Sequence, residues 1–349
     1  MAETRIDHQQ LRNLASELLM AAGTDVSEAT VIADNLVWAD LMGRFTQGVW
    51  RLTVLLPRLR SGLIHSPCLP KFIQKADGVM IVDGNNGFGH YIGHVAMTKA
   101  IELAQCHGTG LAAVRNSNHF GAGAYYVELA AQAGMLGFAF TNATRRVAAY
   151  GGLSPLFGTN PVCFGAPLQN GESVLIDFST GAMAGSVIRK ATETGEPIPE
   201  GVAIDEYGNP ITTPQQAQGS TLLPFGGARG YCLSLLVEIL TGVLTNSLMS
   251  FQIPTMHEKE QIASQIGHFF FVIDITRLLP LEEYYQRIKM LIIEVKKSKL
   301  QTGVTEILIP GETRWRNYAD QLREGIRLDW KTAESLKSIA NELKVATPW

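Results

Sequence analysis

Apolar residues recur at helical spacing in the first part of the chain. Leu11, Leu14 and Leu18 follow Asp7, whose side chain suits the N-cap of a helix. The stretch 315–343 near the other end is also helical in pattern and strongly charged. We expect this last stretch to return and pack on the first helices.

The middle of the chain, from Gly78 on, alternates short apolar runs with helical runs. Strands mixed with helices in this way predict an α/β (α+β) fold. The segment 222–244 begins with a glycine turn and continues as an apolar run, which predicts a buried helix. Strands are expected at 79–84, 110–116, 137–143, 161–168, 173–180 and 267–275, and further helices at 94–108 and 281–299.

Composition narrows the class of protein. The 349 residues are 46% hydrophobic and 17% charged, which is typical of a soluble globular protein. A net charge of −3 argues against nucleic acid or an anionic membrane as partner. The four cysteines show no C-x-x-C spacing, which favours a reduced compartment. No apolar leader is visible, and the longest apolar stretch, 232–244, is too short for a bilayer, so we expect a cytoplasmic protein.

A histidine lies between an asparagine and a glycine-rich turn in the motif RNSNHFGAGAYY, which spans 115–126. The motif follows the apolar run 110–114, so a strand would carry Asn116, Asn118 and His119 to its end. Polar side chains there can face a ligand, and a histidine can exchange a proton near neutral pH. A helix cap or a bond to a buried carbonyl is the alternative role for a lone histidine.

Two further patterns resemble known sites weakly. Gly87, Gly89 and Gly93 form a G-x-G-x-x-x-G run that could hold a pyrophosphate at a helix start. The spacing departs from G-x-G-x-x-G and no suitable carboxylate follows, so a tight turn is favoured. His90 and His94 have the spacing of two zinc ligands on one helix face, but no acidic residue lies between them. We therefore predict no metal, and a zinc hydrolase is the minor alternative.

Four more polar or glycine-rich clusters fall at the ends of predicted elements. Together they suggest backbone amides and hydroxyls gathered around a phosphate-bearing ligand. The clusters are GTNPVCFGAP at 158–167, IDFSTGAMAG at 176–185, LPFGGARG at 223–230 and IPGETR at 309–314.

The order of these motifs resembles that of the malate/L-lactate/ureidoglycolate dehydrogenase family, which also includes diketogulonate, sulfolactate and cyclic-imine reductases. The resemblance covers about residues 5–328. It implies hydride transfer between NAD(P)H and C2 of a 2-oxo, 2-hydroxy or 2-imino acid, in a homodimer. It also implies a non-Rossmann fold in which a largely antiparallel sheet holds the cofactor. The matching pieces are G-x-x-T-Q-G-V-x-R (43–51), VDG (82–84), RNSNHFGAGAYY (115–126), TN (141–142), FGTNP (157–161), IDFST (176–180), ITTP (211–214), LPFGGARG (223–230), GHFF (267–270) and PGE (310–312).

The resemblance also assigns roles to individual residues. Arg51 would hold the substrate carboxylate, since a guanidinium offers two parallel donors to such a group. His119 would lie at the substrate and take part in proton transfer. Thr46, Asn118 and Thr159 would line the substrate site. The cofactor contacts would be Asp177, Phe178, Ser179, Thr180, Gly181, Ala182, Met183, Ala228, Arg229, Gly311 and Glu312.

One position departs from the family pattern, because Thr46-Gln47 stands where Ser-His is usual. That histidine is commonly assigned as the proton donor, and glutamine cannot supply a proton at neutral pH. Losing a general acid typically costs about 10²–10⁴-fold in rate. Three outcomes are open: His119 carries the proton alone, the substrate is an iminium that is already protonated, or the chain is catalytically silent and binds a nucleotide or a partner.

We favour a reductase of 2-imino or 2-oxo carboxylates in which Gln47 orients the substrate, and a 2-hydroxy acid dehydrogenase is the alternative. The cofactor is expected to be NAD or NADP. Arg189 and Lys190 lie near the cofactor motif and could meet a 2′-phosphate, but the sequence does not choose between the two cofactors. Residues 1–75 with 313–349 are expected to form a helical domain, and 76–312 the cofactor- and substrate-binding domain.

Overall fold

The structure is a computed structural model that describes residues 4–254 and 262–349, apart from the side chains of Ser186, Arg189, Lys190 and Glu193. The hypothesis about Arg189 and Lys190 therefore falls outside the described side chains. The helices are α1 (His8–Ala21), α2 (Val26–Leu41), α3 (Leu52–Arg60), α4 (Gly89–His107), α5 (Gly123–Gln132), α6 (Gly185–Thr194), α7 (Pro214–Ala217), α8 (Ala228–Glu238), α9 (Leu281–Lys296), α10 (Glu312–Glu324) and α11 (Trp330–Leu343). The strands are β1 (Thr4–Ile6), β2 (Lys71–Ala76), β3 (Val79–Asp83), β4 (Thr109–Ser117), β5 (Met135–Thr141), β6 (Val147–Ala148), β7 (Pro155–Phe157), β8 (Val162–Pro167), β9 (Ser173–Phe178), β10 (Ala203–Ile204), β11 (Pro210–Ile211), β12 (Thr221–Leu222), β13 (Ile266–Asp274) and β14 (Ile326–Leu328).

Aspartates begin the first two helices. The Asp7 carboxylate accepts bonds from the N–H groups of Gln9 at 2.9 Å and Gln10 at 3.0 Å. Asp25 accepts a bond from the N–H of Ser27 at 2.9 Å. These caps satisfy backbone donors that the first turn of a helix leaves unpaired. The predicted start of the first helix at Asp7 is confirmed.

The two ends of the chain meet. β1 pairs antiparallel with β14, and Ile6 lies opposite Ile326. The helices α1 and α3 both contact α11. The expected return of the last stretch onto the first helices is therefore confirmed, while the division into two domains stays a prediction. The apolar core that these elements share includes Leu11, Leu18, Ile32, Leu36, Leu52 and Leu336.

The main sheet has seven strands in the order β2-β3-β4-β13-β5-β8-β9. Among these strands β3 and β4 run parallel, and the other neighbouring pairs are antiparallel. α4 connects β3 to β4, because parallel neighbours need a crossover. The predicted α/β class with a largely antiparallel sheet is confirmed. α4 and α5 pack on this sheet, and the core there includes Ala96, Ala100, Tyr126, Ala130 and Phe270.

The G-x-G-x-x-x-G run lies between β3 and the first turns of α4. A Cβ on Gly89 would lie 2.0 Å from the carbonyl oxygen of Asn118, and one on Gly93 would lie 2.7 Å from the ring of Tyr126. These glycines let two segments of the chain approach closely, because any side chain would collide there. This packing supports the tight-turn interpretation over a pyrophosphate loop.

A second sheet, in the order β11-β10-β12-β6-β7, has no counterpart among the predicted strands. Its strands are two or three residues long, too short for an alternating pattern to appear in the sequence. α6, α7 and this sheet share a small apolar core that includes Val147, Ile188, Ile211, Ala217 and Leu222.

The helix predicted within 222–244 is present, but the prediction that it is buried is wrong for this chain alone. α8 continues into a π-helical turn at Ile239–Val243. Leu236 is 44% exposed and Ile239 is 49% exposed. An apolar run does not distinguish a core helix from a surface that another molecule covers. The exposed apolar face comprises Leu235, Leu236, Ile239, Val243 and Leu244.

Within residues 4–254 and 262–349, no helix combines the length and the apolar character that crossing a bilayer requires.

Candidate active site

A cavity of about 740 Å³ lies where the end of β4, the segment 44–51 and the second sheet meet. Its size is within the usual range of ligand pockets, and its walls combine aromatic rings with a few polar groups, as such pockets do. The aromatic rings belong to Phe120, Phe178 and Phe225, and the charged side chains to Arg44, Arg51, Arg146 and Asp177.

His119 lies just beyond the end of β4 on the cavity wall. Its Nδ1 accepts a bond from the N–H of Gly121 at 3.2 Å, so the neutral ring carries its proton on Nε2. Burial, followed by the charges of Arg51, His90 and His268, holds the pKa of His119 well below its ordinary value. The imidazole is therefore neutral at neutral pH in the free protein.

His90 is a second histidine close to the cavity. It is fully buried in the first turn of α4, and its ring centroid lies 6.1 Å from that of His119. Burial, and then the charge of Arg51, lowers the pKa of His90 to about 3. His94 lies one turn further on and bonds to the hydroxyl of Tyr125 at 3.2 Å. His90 and His94, which have the spacing of two zinc ligands, therefore have different neighbours. The described residues contain no cluster of three potential metal ligands.

The segment 44–51 turns tightly around a buried acid. Asp40, near the end of α2, accepts a bond at 2.8 Å from the backbone N–H of Val49. A Cβ on Gly48 would lie 1.8 Å from an Asp40 carboxyl oxygen, so glycine alone allows this approach. Burial raises the pKa of Asp40 well above its ordinary value, which favours the protonated acid. The turn brings Arg51 onto the cavity wall.

Arg51, Thr46 and Gln47 lie together on that wall. The Nε of Arg51 donates to the backbone carbonyl of Thr46 at 2.8 Å, which fixes the direction of the guanidinium. The amide oxygen of Gln47 is buried and has no hydrogen-bond partner among the described residues. A buried acceptor without a donor costs free energy unless a ligand or water supplies one. Gln47 is thus arranged to accept a bond from a molecule in the cavity.

A buried carboxylate supports another part of the wall. Glu238 in α8 accepts bonds from Asn160 Nδ2 at 2.8 Å, Asn142 Nδ2 at 3.2 Å and the N–H of Ser250 at 2.7 Å. Each asparagine of the Thr-Asn pairs at 141–142 and 159–160 therefore ties a cavity loop to the same acid. It holds Thr159 on the cavity wall.

A buried ion pair holds the end of β9. Arg314 in α10 donates from Nη1 to Asp177 Oδ2 at 3.3 Å and from Nη2 to the Asp177 carbonyl at 3.1 Å. The next residue, Phe178, meets Phe225 edge to face with ring centroids 5.6 Å apart. Asp177 and the two rings therefore form one fixed surface of the cavity.

The predicted catalytic residues, His119, Gln47 and Arg51, all line the cavity. Thr46 and Thr159, which were predicted to contact substrate, line it as well.

Asn118 does not line the main cavity. It is 2% exposed, and its amide nitrogen donates to the carbonyls of Asn86 at 3.1 Å and Gly87 at 3.0 Å. It borders a small recess that Arg51 and His119 also line. Asn118 therefore holds the turn after β3 against the turn after β4, and its predicted contact with substrate stays a prediction.

The predicted cofactor contacts divide into two groups. Thr180 is buried behind the wall, where its hydroxyl donates to the carbonyl of Thr159 at 3.2 Å. Ala228 and Arg229 are exposed at the start of α8, and Gly311 and Glu312 lie at the start of α10, where Glu312 pairs with Lys296 at 2.5 Å. None of these five lies on the described lining of the cavity, and their contact with the cofactor stays a prediction. The six that do line it are Asp177, Phe178, Ser179, Gly181, Ala182 and Met183.

Sequence reasoning missed Arg44 and Arg146, which both line the cavity, and Arg314, which holds Asp177. Arg44 stands within the motif 43–51, and Arg146 shortly follows the first Thr-Asn pair. Their position beside polar motifs is the signal that could have identified Arg44 and Arg146, since arginine is the usual residue for recognising anions.

Comparison with known proteins gives consistent matches along the chain. The family model described as malate/L-lactate dehydrogenase matches residues 6–337. The malate/(S)-sulfolactate dehydrogenase of Methanothermus fervidus is 33% identical over 344 residues, covering 99% of each chain. The Delta(1)-pyrroline-2-carboxylate/Delta(1)-piperideine-2-carboxylate reductase of Pseudomonas syringae pv. tomato is 30% identical over 336 residues, covering 96% of each. The crystal structure of malate dehydrogenase from Entamoeba histolytica superposes with a TM-score of 0.95 at 30% identity, covering 100% of both chains.

The fold, the cavity and these matches define an NAD(P)-dependent oxidoreductase. The chain belongs to the malate/L-lactate dehydrogenase family, as the order of its motifs predicts.

Proposed function

We propose that this protein transfers a hydride from NADH or NADPH to C2 of a small 2-imino or 2-oxo carboxylate. The observation that carries the proposal is the meeting of Arg51, Gln47 and His119 on the wall of one cavity. A guanidinium binds a carboxylate, an amide orients a polar group, and an imidazole exchanges a proton. The names of relatives that act on 2-hydroxy acids and cyclic imines support the same class of substrate.

The cavity residues fit a pyridine nucleotide. The rings of Phe178 and Phe225 offer an apolar surface, and the backbone of 181–183 lines the cavity beside them. Arg146 adds a buried Nε that has no partner among the described residues. The cofactor, when bound, supplies the hydride, and the Asp177–Arg314 pair would keep this wall rigid.

Arg51 would hold the substrate carboxylate so that C2 lies beside His119. The arriving carboxylate would favour the imidazolium and raise the pKa of His119 from its low value in the free protein. His119 could then deliver a proton to the oxygen or nitrogen on C2. Gln47 would donate from its amide nitrogen to the same atom or accept from a protonated imine. An iminium needs no proton from the enzyme, which suits a chain with glutamine at this position.

A second candidate is a 2-hydroxy acid dehydrogenase, and the low pKa of His119 favours it. A neutral imidazole is ready to take the proton of a hydroxyl group as C2 gives up its hydride. The rate of hydroxy acid oxidation should therefore stay level as the pH rises from 6 to 8. Reduction of a ketone should slow over the same range, because it needs the protonated imidazole.

The test is a substrate panel with each cofactor. Oxidation of NADH and NADPH is followed with pyruvate, oxaloacetate and Δ1-piperideine-2-carboxylate, and reduction of NAD and NADP with lactate and malate. We expect turnover on at least one of these substrates. A folded protein that binds nucleotide and turns over none of them would contradict the proposal and favour the catalytically silent alternative.

The variant Gln47→His tests the argument for an imine. A histidine at this position should raise ketone reduction relative to imine reduction by roughly 10-fold or more, because it restores a general acid. The ratio of the two kcat/KM values is the measurement. Gln47→Ala is the control, since it removes the amide without adding an acid. An unchanged ratio in Gln47→His would remove the reason for preferring an imine over a ketone.

We also propose that the protein acts in the cytoplasm as a homodimer. The cysteines of the chain are free thiols, which suits a reducing compartment. The exposed apolar face of α8 and its π-helical turn is the surface that a second copy would cover.

A further inference from the structure

Arg146 is a cation on the cavity wall that takes no part in the proposed transfers of hydride and proton. Its side chain is partly buried, and its enclosed Nε has no hydrogen-bond partner among the described residues. Burial lowers the pKa of Arg146. A partly buried cation without a partner costs free energy that an anion would recover.

The backbone holds this arginine in place from both sides. The N–H of Arg146 donates to the carbonyl of Phe157 at 2.7 Å, and its carbonyl accepts from the N–H of Leu222 at 2.8 Å. The next residue, Val147, packs so close to Gly181 that a Cβ on that glycine would lie 3.1 Å from its side chain. The guanidinium therefore projects from a fixed sheet beside the predicted cofactor contacts.

The charges of the cavity are unbalanced. Its described lining contains Arg44, Arg51 and Arg146 but one carboxylate, Asp177, which Arg314 already neutralises. The carboxylate of the proposed substrate would neutralise the charge of Arg51. A cavity with this excess of guanidinium groups has the charge to receive a second anionic group.

We propose that Arg146 binds a second anionic group, a carboxylate, sulfonate or phosphate, in addition to the carboxylate at Arg51. The inference rests on the proposed function, because it assumes that the substrate carboxylate goes to Arg51. The planar fork of a guanidinium matches the paired oxygens of all three groups. The anion comes either from the cofactor, as a phosphate, or from the substrate, as a second acid group.

The experiment compares Arg146→Met with Arg145→Met, in which the adjacent, exposed arginine loses its charge. The dissociation constants of NADH and NADPH are measured by fluorescence without substrate, and KM is then measured for pyruvate and oxaloacetate. A cofactor phosphate at Arg146 predicts a dissociation constant raised roughly 10- to 100-fold for one or both nucleotides. A second acid group of the substrate predicts a KM raised by a similar factor for oxaloacetate alone.

Two further measurements separate recognition from a structural role. Arg146→Lys keeps the charge but loses the fork, and we expect a smaller loss than in Arg146→Met. The melting temperature of Arg146→Met should stay level or rise, since no described partner is lost. A lower melting temperature, with every dissociation constant and KM raised together, would overturn the proposal. Dissociation constants and KM values within twofold of those of Arg145→Met would overturn it as well.

Failure of the proposed reductase activity can be distinguished from failure of the inference about Arg146. A wild-type protein that binds nucleotide but turns over no substrate would contradict the reductase, and the nucleotide dissociation constants would still test Arg146. Unchanged constants in such a protein would overturn both proposals. Normal wild-type turnover, together with dissociation constants and KM values for Arg146→Met that match those of Arg145→Met, would overturn this inference alone.

Discussion

The helices α5 and α8 are both rich in apolar residues, but the chain covers only one of them. Along α5, Ala124, Tyr126 and Ala130 are fully buried, packed between α4 and the main sheet. Along α8 and its π-helical turn, Leu236 and Ile239 are each more than two-fifths exposed. A soluble monomer rarely leaves a contiguous apolar face in water, so the second helix calls for a partner where the first does not.

Both helices also support the cavity. α5 follows the turn that carries His119, while α8 carries Glu238, which ties two cavity loops together. One wall is thus completed by the protein's own core, and the other is built on a helix whose outer face is uncovered. We therefore expect the chemistry at His119 to be independent of association, and the loops tied to Glu238 to depend on it.

The largest effect is expected for His119→Ala. Removing the imidazole should lower kcat by about 10²–10⁴-fold on a ketone or hydroxy acid substrate, because it removes the group that moves the proton. Light scattering should show the same oligomeric state as in the wild type, since His119 lines the cavity and is not part of the exposed face of α8. Steady-state rates and molar mass are measured on the same preparation.

The control for this variant is His107→Ala, at the exposed end of α4. Its rates should match those of the wild type. Near wild-type turnover of the true substrate by His119→Ala would remove this residue from the mechanism, and the buried His90 beside it would become the next residue to test.

The double variant Leu236→Asp with Ile239→Asp tests the other side of the comparison. Two charges on the exposed face should raise the dissociation constant of the proposed dimer roughly 100-fold or more, because central apolar contacts dominate such interfaces. The molar mass in solution should fall to that of one chain, and activity should fall with it if the loops tied to Glu238 loosen.

Tyr207→Asp serves as the matched control, because this residue is 78% exposed in the turn between β10 and β11. It should leave the molar mass unchanged. A wild-type protein that is already monomeric at working concentrations would contradict the dimer and leave the exposed face of α8 for another partner.

The same contrast explains how far the sequence could predict the structure. His119 could be placed at a strand end because an apolar run precedes it and a helical pattern follows, both within a few residues. The N-cap at Asp7 is equally local, since its carboxylate bonds to the next turn of backbone. Arg51 and Gln47 reached the cavity through a motif whose tight turn needs Gly48.

Features that depend on distant parts of the chain were beyond the sequence. The short strands of the second sheet carry no period of their own, so the wall that bears Arg146 could not be foreseen. The exposure of α8 could not be predicted either, because an apolar helix has the same sequence pattern at an interface as in a core. Gly311 and Glu312 were assigned by resemblance, and in this single chain they lie outside the cavity lining.

The smallest effect concerns a buried acid in α5. Glu128 is 2% exposed, and its Oε2 has no partner among the described residues. Burial raises the pKa of Glu128 from 4.5 to about 7 in the folded protein. The stability from the protonated acid is therefore fully present below pH 4.5 and is lost as the pH rises to about 7, by at most about 1.4 kcal/mol for each pH unit.

Glu128→Gln should remove this dependence while keeping the shape of the side chain. The variant should be more stable than the wild type at pH 8, by about 1–3 kcal/mol, and nearly equal to it at pH 5. Urea unfolding at the two pH values is the measurement, and Glu102→Gln, at an exposed position of α4, should show no such difference. A gap between Glu128→Gln and the wild type that is the same at both pH values would mean that the acid does not titrate inside a closed core. In that case α5 would be less completely covered than its packing indicates, and the contrast with α8 would be one of degree.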